Sequence, residues 1–223
     1  MSKKIKAVIF DLDGVITDTS EYHYQAWKRL ADEEGIPFNR DDNDKLRGVS
    51  RSECLKILLN GKQVSTEQFQ GMMDGKNRYY VELLRQMTSE NILPGAKELV
   101  LEVKRKGVKT AIASVSKNTR TVLRGTGIED LFDVIVDGYS VKNTKPAPDI
   151  FLFAAKELGV KPEDCVVVED AEAGIDAALA GNMLSIGIGP EKRVGKARFR
   201  FEKIGDITLT KLSEIISEVL LIT

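Results

Sequence analysis

The sequence predicts an α/β fold in which a parallel sheet carries an all-helical insertion after its first strand. From residue 92 onward, short β-branched runs alternate with segments of helical periodicity, as is typical of a parallel sheet covered by helices on both faces. Residues 20–90 break this alternation, because they contain helical patterns only. A third observation is that charged and polar residues follow the predicted strands, where ligands bind in such sheets.

The predicted elements follow in chain order. The first strand is the apolar run that ends at Asp11. Helices in the insertion are predicted at 22–34, near 41–46, at 52–59 and at 66–87. Later strands are predicted at 108–113, 134–136, 165–168 and 184–188. The helices between them are predicted at 96–106, 117–124, 150–158 and 171–180.

Composition excludes several classes of partner. The chain has 223 residues, with 33 Lys and Arg against 34 Asp and Glu, so no positive field favours nucleic acid or an anionic membrane. Its two cysteines, Cys54 and Cys165, indicate neither a disulfide framework nor a metal knuckle. No run of about 18 apolar residues occurs. We therefore predict a cytoplasmic protein that acts on a small molecule, with no nucleic-acid or membrane partner.

Polar side chains follow four of the predicted strands at their carboxyl ends. Asp11, Ser114 and the pair Glu169 and Asp170 each end an apolar strand, and Lys145 lies in the loop after another. Because the carboxyl ends of parallel strands lie at one edge of the sheet, we expect these side chains to line a single crevice.

Four carboxylates in this crevice require a cation. The side chains of Asp11, Asp13, Glu169 and Asp170 are all acidic, and like charges about 4 Å apart repel by roughly 4 kcal/mol at an effective dielectric of 20. Oxygen ligands without histidine or thiolate suit Mg²⁺, which also binds phosphate oxygens. Together with Lys145, such a site can accept a phosphoryl group, which an ionised aspartate can attack.

These motifs together resemble the haloacid dehalogenase superfamily of phosphotransferases, whose four motifs correspond to Asp11-Leu-Asp-Gly, Ser114, Lys145-Pro and Glu169-Asp. The resemblance covers nearly the whole chain. It implies a Rossmann-like catalytic core over residues 1–18 and 91–223, with an inserted α-helical cap domain over 19–90. A self-contained core with its cap predicts a monomer.

The same resemblance implies a role for each motif residue. Asp11 is expected to be the nucleophile that becomes an aspartyl phosphate, and Asp13 to be the general acid and base. The implied Mg²⁺ ligands are Asp11, the backbone carbonyl of Asp13, Glu169 and Asp170. Ser114 and Lys145 are expected to hold the transferring phosphoryl group.

Several longer runs are similar to the β-phosphoglucomutase family, namely DLDGVITDT, EYHYQAW, LRGVSR, SVSKN and KPAPDIF. This resemblance implies interconversion of β-glucose 1-phosphate and glucose 6-phosphate, with a hexose bisphosphate as intermediate. That family commonly has Lys where this chain has Arg47, which leaves a direct role for the position open. The segment 192–201 is unexpectedly basic, and we interpret it as a solvated edge.

The single histidine, His23, shares a helical stripe with Ala26, Trp27 and Leu30. Composition alone favours packing over chemistry for such a residue. In the resembled family, however, a histidine here lies beside the acid/base and couples cap closure to proton transfer. We therefore predict a functional role for His23 and assign Trp27 to substrate binding.

A second phosphate site is predicted around Arg51. The spacing Ser50-Arg-Ser-Glu53 is typical of a capping box, which places Arg51 at the start of a helix. Helix N-termini attract anions, and arginine binds phosphate through two donors. Without the family a solvated arginine would be the simpler interpretation. The resemblance assigns Arg51 to the non-transferring phosphate, with help from Ser116, Lys117 and Asn118.

Two residues keep alternative interpretations. Lys76 lies on the apolar stripe of the longest predicted helix, so it either extends along the core surface or reaches the sugar hydroxyls. Asp18 and its neighbours at 17–20 either form a hinge of the cap or cap the following helix, and we favour the structural interpretation. Two functions compete with a mutase: a sugar-phosphate phosphatase on the same scaffold and a non-enzymatic binding module.

Overall fold

A computed structural model describes residues 5–218 and contains a six-stranded sheet whose strands are all parallel. Its strand order is β3-β2-β1-β4-β5-β6. The strands are β1 (Ala7–Phe10), β2 (Lys109–Ala113), β3 (Val134–Val136), β4 (Cys165–Glu169), β5 (Leu184–Ile188) and β6 (Phe199–Phe201). The predicted α/β class is confirmed.

Ten α-helices are found between residues 5 and 218. Four follow β1: α1 (Ser20–Glu33), α2 (Arg40–Asp44), α3 (Arg51–Leu59) and α4 (Thr66–Leu84). The others are α5 (Ala96–Arg105), α6 (Thr119–Thr126), α7 (Asp149–Leu158), α8 (Glu172–Ala180), α9 (Glu191–Val194) and α10 (Leu209–Glu218). None of the described helices is long and apolar enough to cross a membrane.

Some predicted boundaries are wrong. The helix predicted at 66–87 ends at Leu84, because the next residues form tighter turns with i−3 hydrogen bonds. The helix predicted from 117 begins at Thr119, which leaves the two preceding residues in the loop that lines the site. Neither β6 nor α10 was predicted. The sequence of β6, Phe-Arg-Phe, is too short and too charged to stand out from a solvated edge.

Helices cover both faces of the sheet. β1 is completely buried between β2 and β4, and its side chains alternate between two apolar layers. Phe10 packs in the layer that contains Val103 of α5, whereas Ile9 packs in the layer that contains Phe151 of α7. This burial on both sides explains why the sequences of the strands are continuous apolar runs.

The insertion has an apolar cluster of its own. Trp27 of α1, Leu55 of α3 and Met72 of α4 are buried together in it. A separate core of this kind supports the idea that the four helices form a cap domain, and the proposed boundaries at 19 and 90 remain a prediction.

The two segments that connect the insertion to the sheet run side by side. The backbone N–H of Asp18 donates to the Asn91 carbonyl at 3.0 Å, and that of Leu93 donates to Ile16 at 2.9 Å. Thr19 occupies the N-cap position of α1, but its side chain makes no capping hydrogen bond and donates instead to Asp13. The favoured interpretation was that a residue at 17–20 caps the following helix. The side chain of Thr19, at the N-cap position, does not do so.

Replacement of Gly14 should destabilise the fold through two separate effects. Gly14 follows β1 with a φ of 86°, and a Cβ atom there would lie 2.4 Å from Oδ2 of Asp170. We expect Gly14→Ala to lower the free energy of unfolding by about 2–4 kcal/mol, from backbone strain and overpacking. Gly61 has a φ of 83° and open space around it, so Gly61→Ala should lose only about 1 kcal/mol. Urea denaturation measures both, and equal losses would contradict the overpacking.

Candidate active site

The predicted crevice is present at the carboxyl edge of the sheet. Asp11 follows β1, Ser114 follows β2, and Glu169 is the last residue of β4. The loop after β3 brings the fully buried Lys145 between two of these carboxylates. Its Nζ lies 2.5 Å from Oδ1 of Asp11 and 2.8 Å from Oε2 of Glu169. These four residues, distant in the sequence, therefore form one cluster.

A single lysine does not neutralise the carboxylates around it. Burial alone would lower the pKa of Lys145, but the carboxylates of Asp11 and Glu169 raise it above its ordinary value. Burial and the negative charge of Asp11 in turn raise the pKa of Glu169, and burial raises that of Asp170 to about 6. Asp11, Glu169 and Asp170 each offer an oxygen within 4.8 Å of the others. This all-oxygen set could hold a hard metal cation.

Two arginines approach Asp170 from different parts of the chain. Nη1 of Arg47, in the insertion, donates to Oδ2 of Asp170 at 3.0 Å and to the hydroxyl of Ser20 at 3.1 Å. Nη1 of Arg193, in α9, lies 3.6 Å from the same Asp170 oxygen. Arg193 belongs to the segment interpreted as a solvated edge, and its side chain is only 25% exposed. That interpretation is therefore wrong for Arg193.

Asp13 faces the insertion rather than Lys145. Its carboxylate accepts a hydrogen bond from the hydroxyl of Thr19, and its Oδ2 lies 3.9 Å from Nε2 of His23. Burial, with help from the charge of Asp11, raises the pKa of Asp13 to about 7. A carboxyl group with this pKa can both accept and donate a proton near neutral pH. The predicted bond between its backbone carbonyl and a metal stays a prediction.

The histidine beside Asp13 is held by the cap helices. Nζ of Lys76 lies 2.9 Å from Nδ1 of His23. Burial and the positive charge of Lys76 lower the pKa of His23 well below its usual range, so its ring is neutral. If Lys76 donates to Nδ1, the ring proton is on Nε2, which faces Asp13.

Lys76 is enclosed by aromatic side chains. It is 2% exposed, and its Nζ lies 4.4 Å from the ring centre of Tyr80 and 5.0 Å from that of Trp27. Because the amine lines the internal cavity, it does not extend along the core surface to bulk water. Tyr80 is buried in the core, and its ring also lies 4.1 Å from that of His23, in a tilted arrangement, and lines the cavity. Tyr80 lies four residues after Lys76, on the same face of the helix, and this spacing was the signal that both could face the cavity.

The residues predicted to bind a second phosphate line the same cavity as Asp11. Arg51 is the first residue of α3, as predicted. Ser50 accepts a hydrogen bond from the Glu53 N–H, but Glu53 pairs with Lys56 and does not complete a capping box. Ser116, Lys117 and Asn118 lie immediately before α6. Asn118 also donates to Asn77 of α4 at 2.9 Å, a direct hydrogen bond between core and insertion.

All predicted catalytic and substrate residues except the buried Lys145 line this cavity of about 430 Å³. Its walls come from both the core and the insertion, and its volume suits a small ligand. Cys54 also lines it, but burial raises the pKa of this thiol to about 12 and so opposes reactivity. The structure thus brings the acidic residues around Asp11 and the cationic Arg51 of the insertion to one cavity.

Comparison with known proteins agrees with this geometry. Residues 5–182 match the haloacid dehalogenase-like hydrolase family. The chain is 45% identical to β-phosphoglucomutase of Bacillus subtilis, over 94% of this chain and 95% of the relative. A phosphorylated carbohydrates phosphatase of Thermotoga maritima is 36% identical, over 96% and 97%. The crystal structure of β-phosphoglucomutase from Clostridium difficile superposes with a TM-score of 0.93, at 42% identity over 97% and 99% of the two chains.

The chain belongs to the haloacid dehalogenase-like hydrolase family. Within that family it is an enzyme similar to β-phosphoglucomutase, as predicted, and its fold is that of the structure from Clostridium difficile.

The burial of Lys76 should make stability depend on pH. Burial, with the charge of Arg51, lowers its pKa from 10.5 to about 7. Below pH 7 both the folded and the unfolded states carry the charge, and the folded state bears its full burial penalty. Between pH 7 and 10.5 the unfolded state binds more protons, so stability rises with pH. Lys76→Met removes this penalty and should stabilise the protein at pH 6, on the order of 3 kcal/mol, but little at pH 10.

Urea denaturation of both proteins at several pH values measures this difference. Lys28→Met, at a partly exposed lysine of α1, is the matched control and should show no such trend. A Lys76→Met effect that is the same at pH 6 and pH 10 would mean that Lys76 is not held with a lowered pKa.

Proposed function

We propose that the chain is a Mg²⁺-dependent phosphomutase that interconverts β-glucose 1-phosphate and glucose 6-phosphate. The observation that carries this proposal is that one cavity is lined by two sets of polar and cationic side chains, each of which suits a phosphate group. Lys145 and Ser114 lie near Asp11, and Arg51 lies on the wall formed by the insertion. A mutase must hold a sugar that carries phosphate at both ends. The similarity to two proteins named β-phosphoglucomutase supports the choice of sugar.

Mg²⁺ is proposed because three buried carboxylates form a set of oxygen ligands that suits a hard cation. The oxygens of Asp11, Glu169 and Asp170 are close enough to share an ion, and Asp11 and Glu169 share the single charge of Lys145. We assign the ion to these residues and to the backbone carbonyl of Asp13. When bound, Mg²⁺ would reduce repulsion between the carboxylates and the phosphoryl oxygens.

In the first transfer, Asp11 carries the phosphoryl group. A hydroxyl of the hexose monophosphate attacks phosphorus while Asp13 removes its proton, and the bond between phosphorus and the Asp11 carboxylate breaks. Lys145 and Ser114 hold the phosphoryl oxygens. The product is the hexose 1,6-bisphosphate with a free Asp11 carboxylate and a protonated Asp13.

In the second transfer, the bisphosphate lies with its other phosphate at Asp11. The Asp11 carboxylate attacks that phosphorus, and Asp13 returns its proton to the leaving sugar oxygen. The pKa of about 7 at Asp13 suits both directions. The monophosphate leaves, and Asp11 is phosphorylated again.

Residues 19–90 are proposed to act as a cap that excludes water from phosphorylated Asp11. This part of the chain supplies Thr19 and His23, both of which face Asp13. Their contact would orient the Asp13 carboxylate toward the sugar, with His23 held in turn by Lys76. We assign Trp27 and Lys76 to the sugar-facing wall. Without this cover, water would hydrolyse the aspartyl phosphate and the enzyme would act as a phosphatase.

A sugar-phosphate phosphatase is the second candidate. It is favoured by the similarity to the phosphatase of Thermotoga maritima. Both functions would use the same nucleophile, and they differ in whether a sugar hydroxyl or water accepts the phosphoryl group. The product identifies the function directly.

Phosphorus NMR tests the proposal with Mg²⁺, β-glucose 1-phosphate and a trace of glucose 1,6-bisphosphate. We expect glucose 6-phosphate as the main product, loss of turnover with EDTA, and its return with excess Mg²⁺. Asp11→Asn should be folded and inactive, because an amide is not an anionic nucleophile. Mainly inorganic phosphate would identify a phosphatase. No turnover by the wild-type protein would rule out both enzymes.

Replacement of Arg51 separates the two phosphate sites. Arg51→Ala should still form the phosphoenzyme from acetyl phosphate, because Asp11, Asp13 and Lys145 are unchanged. Transfer to the hexose monophosphate should fail, with a loss of about 2–5 kcal/mol in transition-state binding. Hydrolysis of the phosphoenzyme should change little.

The matched control is Arg40→Ala, an exposed arginine of the insertion that pairs with Glu21 outside the cavity. It should leave both rates unchanged. If mutase and hydrolysis rates of Arg51→Ala fall together, or if neither changes, Arg51 does not hold the second phosphate.

A further inference from the structure

A second cavity, of about 330 Å³, lies beside the candidate active site. One wall is the segment of the insertion at residues 44–49, and the other comes from the core around α8 and α9. Arg47 lines both cavities, so the second one adjoins the first. The proposed reaction uses none of the core residues that line it.

The excess charge in this cavity is positive. Four cationic side chains line it against three acidic ones, namely Lys45, Arg47, Lys192 and Arg193 against Asp44, Glu172 and Asp176. Asp44 pairs with Arg47, and Glu172 and Asp176 share Lys196, at 2.9–3.1 Å. Lys192, which also lines the cavity, forms no ion pair with any carboxylate among the side chains that the structure describes. The cavity therefore contains a cation whose charge no neighbouring side chain neutralises.

Arg193 supplies a second cationic group, which is paired only loosely with Asp170. Its Nη1 lies 3.6 Å from Asp170, the distance of an ion pair rather than of a hydrogen bond. Its Nε is buried and has no hydrogen-bond partner among residues 5–218. The guanidinium lies against Gly189, where a Cβ atom would approach Nη2 to 2.6 Å. The side chain as a whole is 25% exposed, so part of the guanidinium group faces the cavity that Arg193 lines.

We propose that this second cavity binds a small oxyanion of the phosphate class, held by Lys192 and Arg193. The flat fork of arginine donors matches phosphate oxygens, and the ammonium group adds charge. The cavity is large enough for a phosphate or a small phosphate monoester. Because its walls belong to both the insertion and the core, the bound anion contacts both.

Backbone amide NMR of the full-length protein tests this site. Inorganic phosphate is titrated at constant ionic strength, without Mg²⁺. We expect saturable shifts at residues 191–195, separate from shifts at 114–118 in the active site. Lys192→Gln and Arg193→Gln should each weaken the affinity reported at 191–195 by about tenfold. Lys192 is exposed, so its replacement should not disturb the fold.

The control is Arg198→Gln, an exposed arginine close in sequence that does not line the cavity, and it should leave the affinity unchanged.

Titration with glucose 6-phosphate distinguishes the source of the anion. Equal affinity at 191–195 means recognition of phosphate alone, and tighter binding means that the sugar contributes. Shifts confined to 114–118, or unchanged affinity in both glutamine variants, would overturn the proposal. The test needs no turnover, so its outcome is independent of the proposed reaction.

Discussion

The buried ion pairs of Lys145 are the interaction on which the site depends. Its ammonium group bridges Asp11 and Glu169, which end neighbouring strands β1 and β4. Two carboxylates at adjacent strand ends would repel each other strongly in a buried environment. Lys145 makes their proximity possible, although its single charge is shared between the two carboxylates. The same arrangement thus stabilises the strand ends and favours a metal and a phosphoryl group.

The insertion contacts the segment after β1, where the proposed acid/base lies. Thr19 and His23 both face Asp13, the residue two positions after Asp11. The connecting segments at residues 16–19 and 91–93 are joined by backbone hydrogen bonds, so α1 starts from a fixed place beside the sheet. A helical unit connected at this point can bring its side chains to an acid/base without any change in the core. This placement is the physical reason why such a scaffold can support either transfer to a sugar or hydrolysis.

The sequence was most informative where chain direction determines position. Carboxyl ends of parallel strands share an edge, so Asp11, Ser114, Glu169 and Lys145 were correctly predicted to meet. No such rule predicts which side chains of distant helices contact each other. The spacing of Tyr80 from Lys76 was a weak signal for its contact with His23, because a buried tyrosine on an apolar stripe is usually core packing. The strand β6 was missed for a related reason, since an edge strand needs little apolar sequence.

Asp170 shows how the insertion and the core are coupled. Its Oδ2 receives Arg47 from the insertion and Arg193 from the core, although it is also a candidate metal ligand. A bound cation and these guanidinium groups would share the charge of one carboxylate. Arg47 therefore links the insertion directly to the acidic cluster. A change in the charge on Asp170 would change the strength of this contact. An anion bound beside Arg193 would compete with Asp170 for the same guanidinium group. This contact would connect the basic segment at 192–201 to the candidate active site.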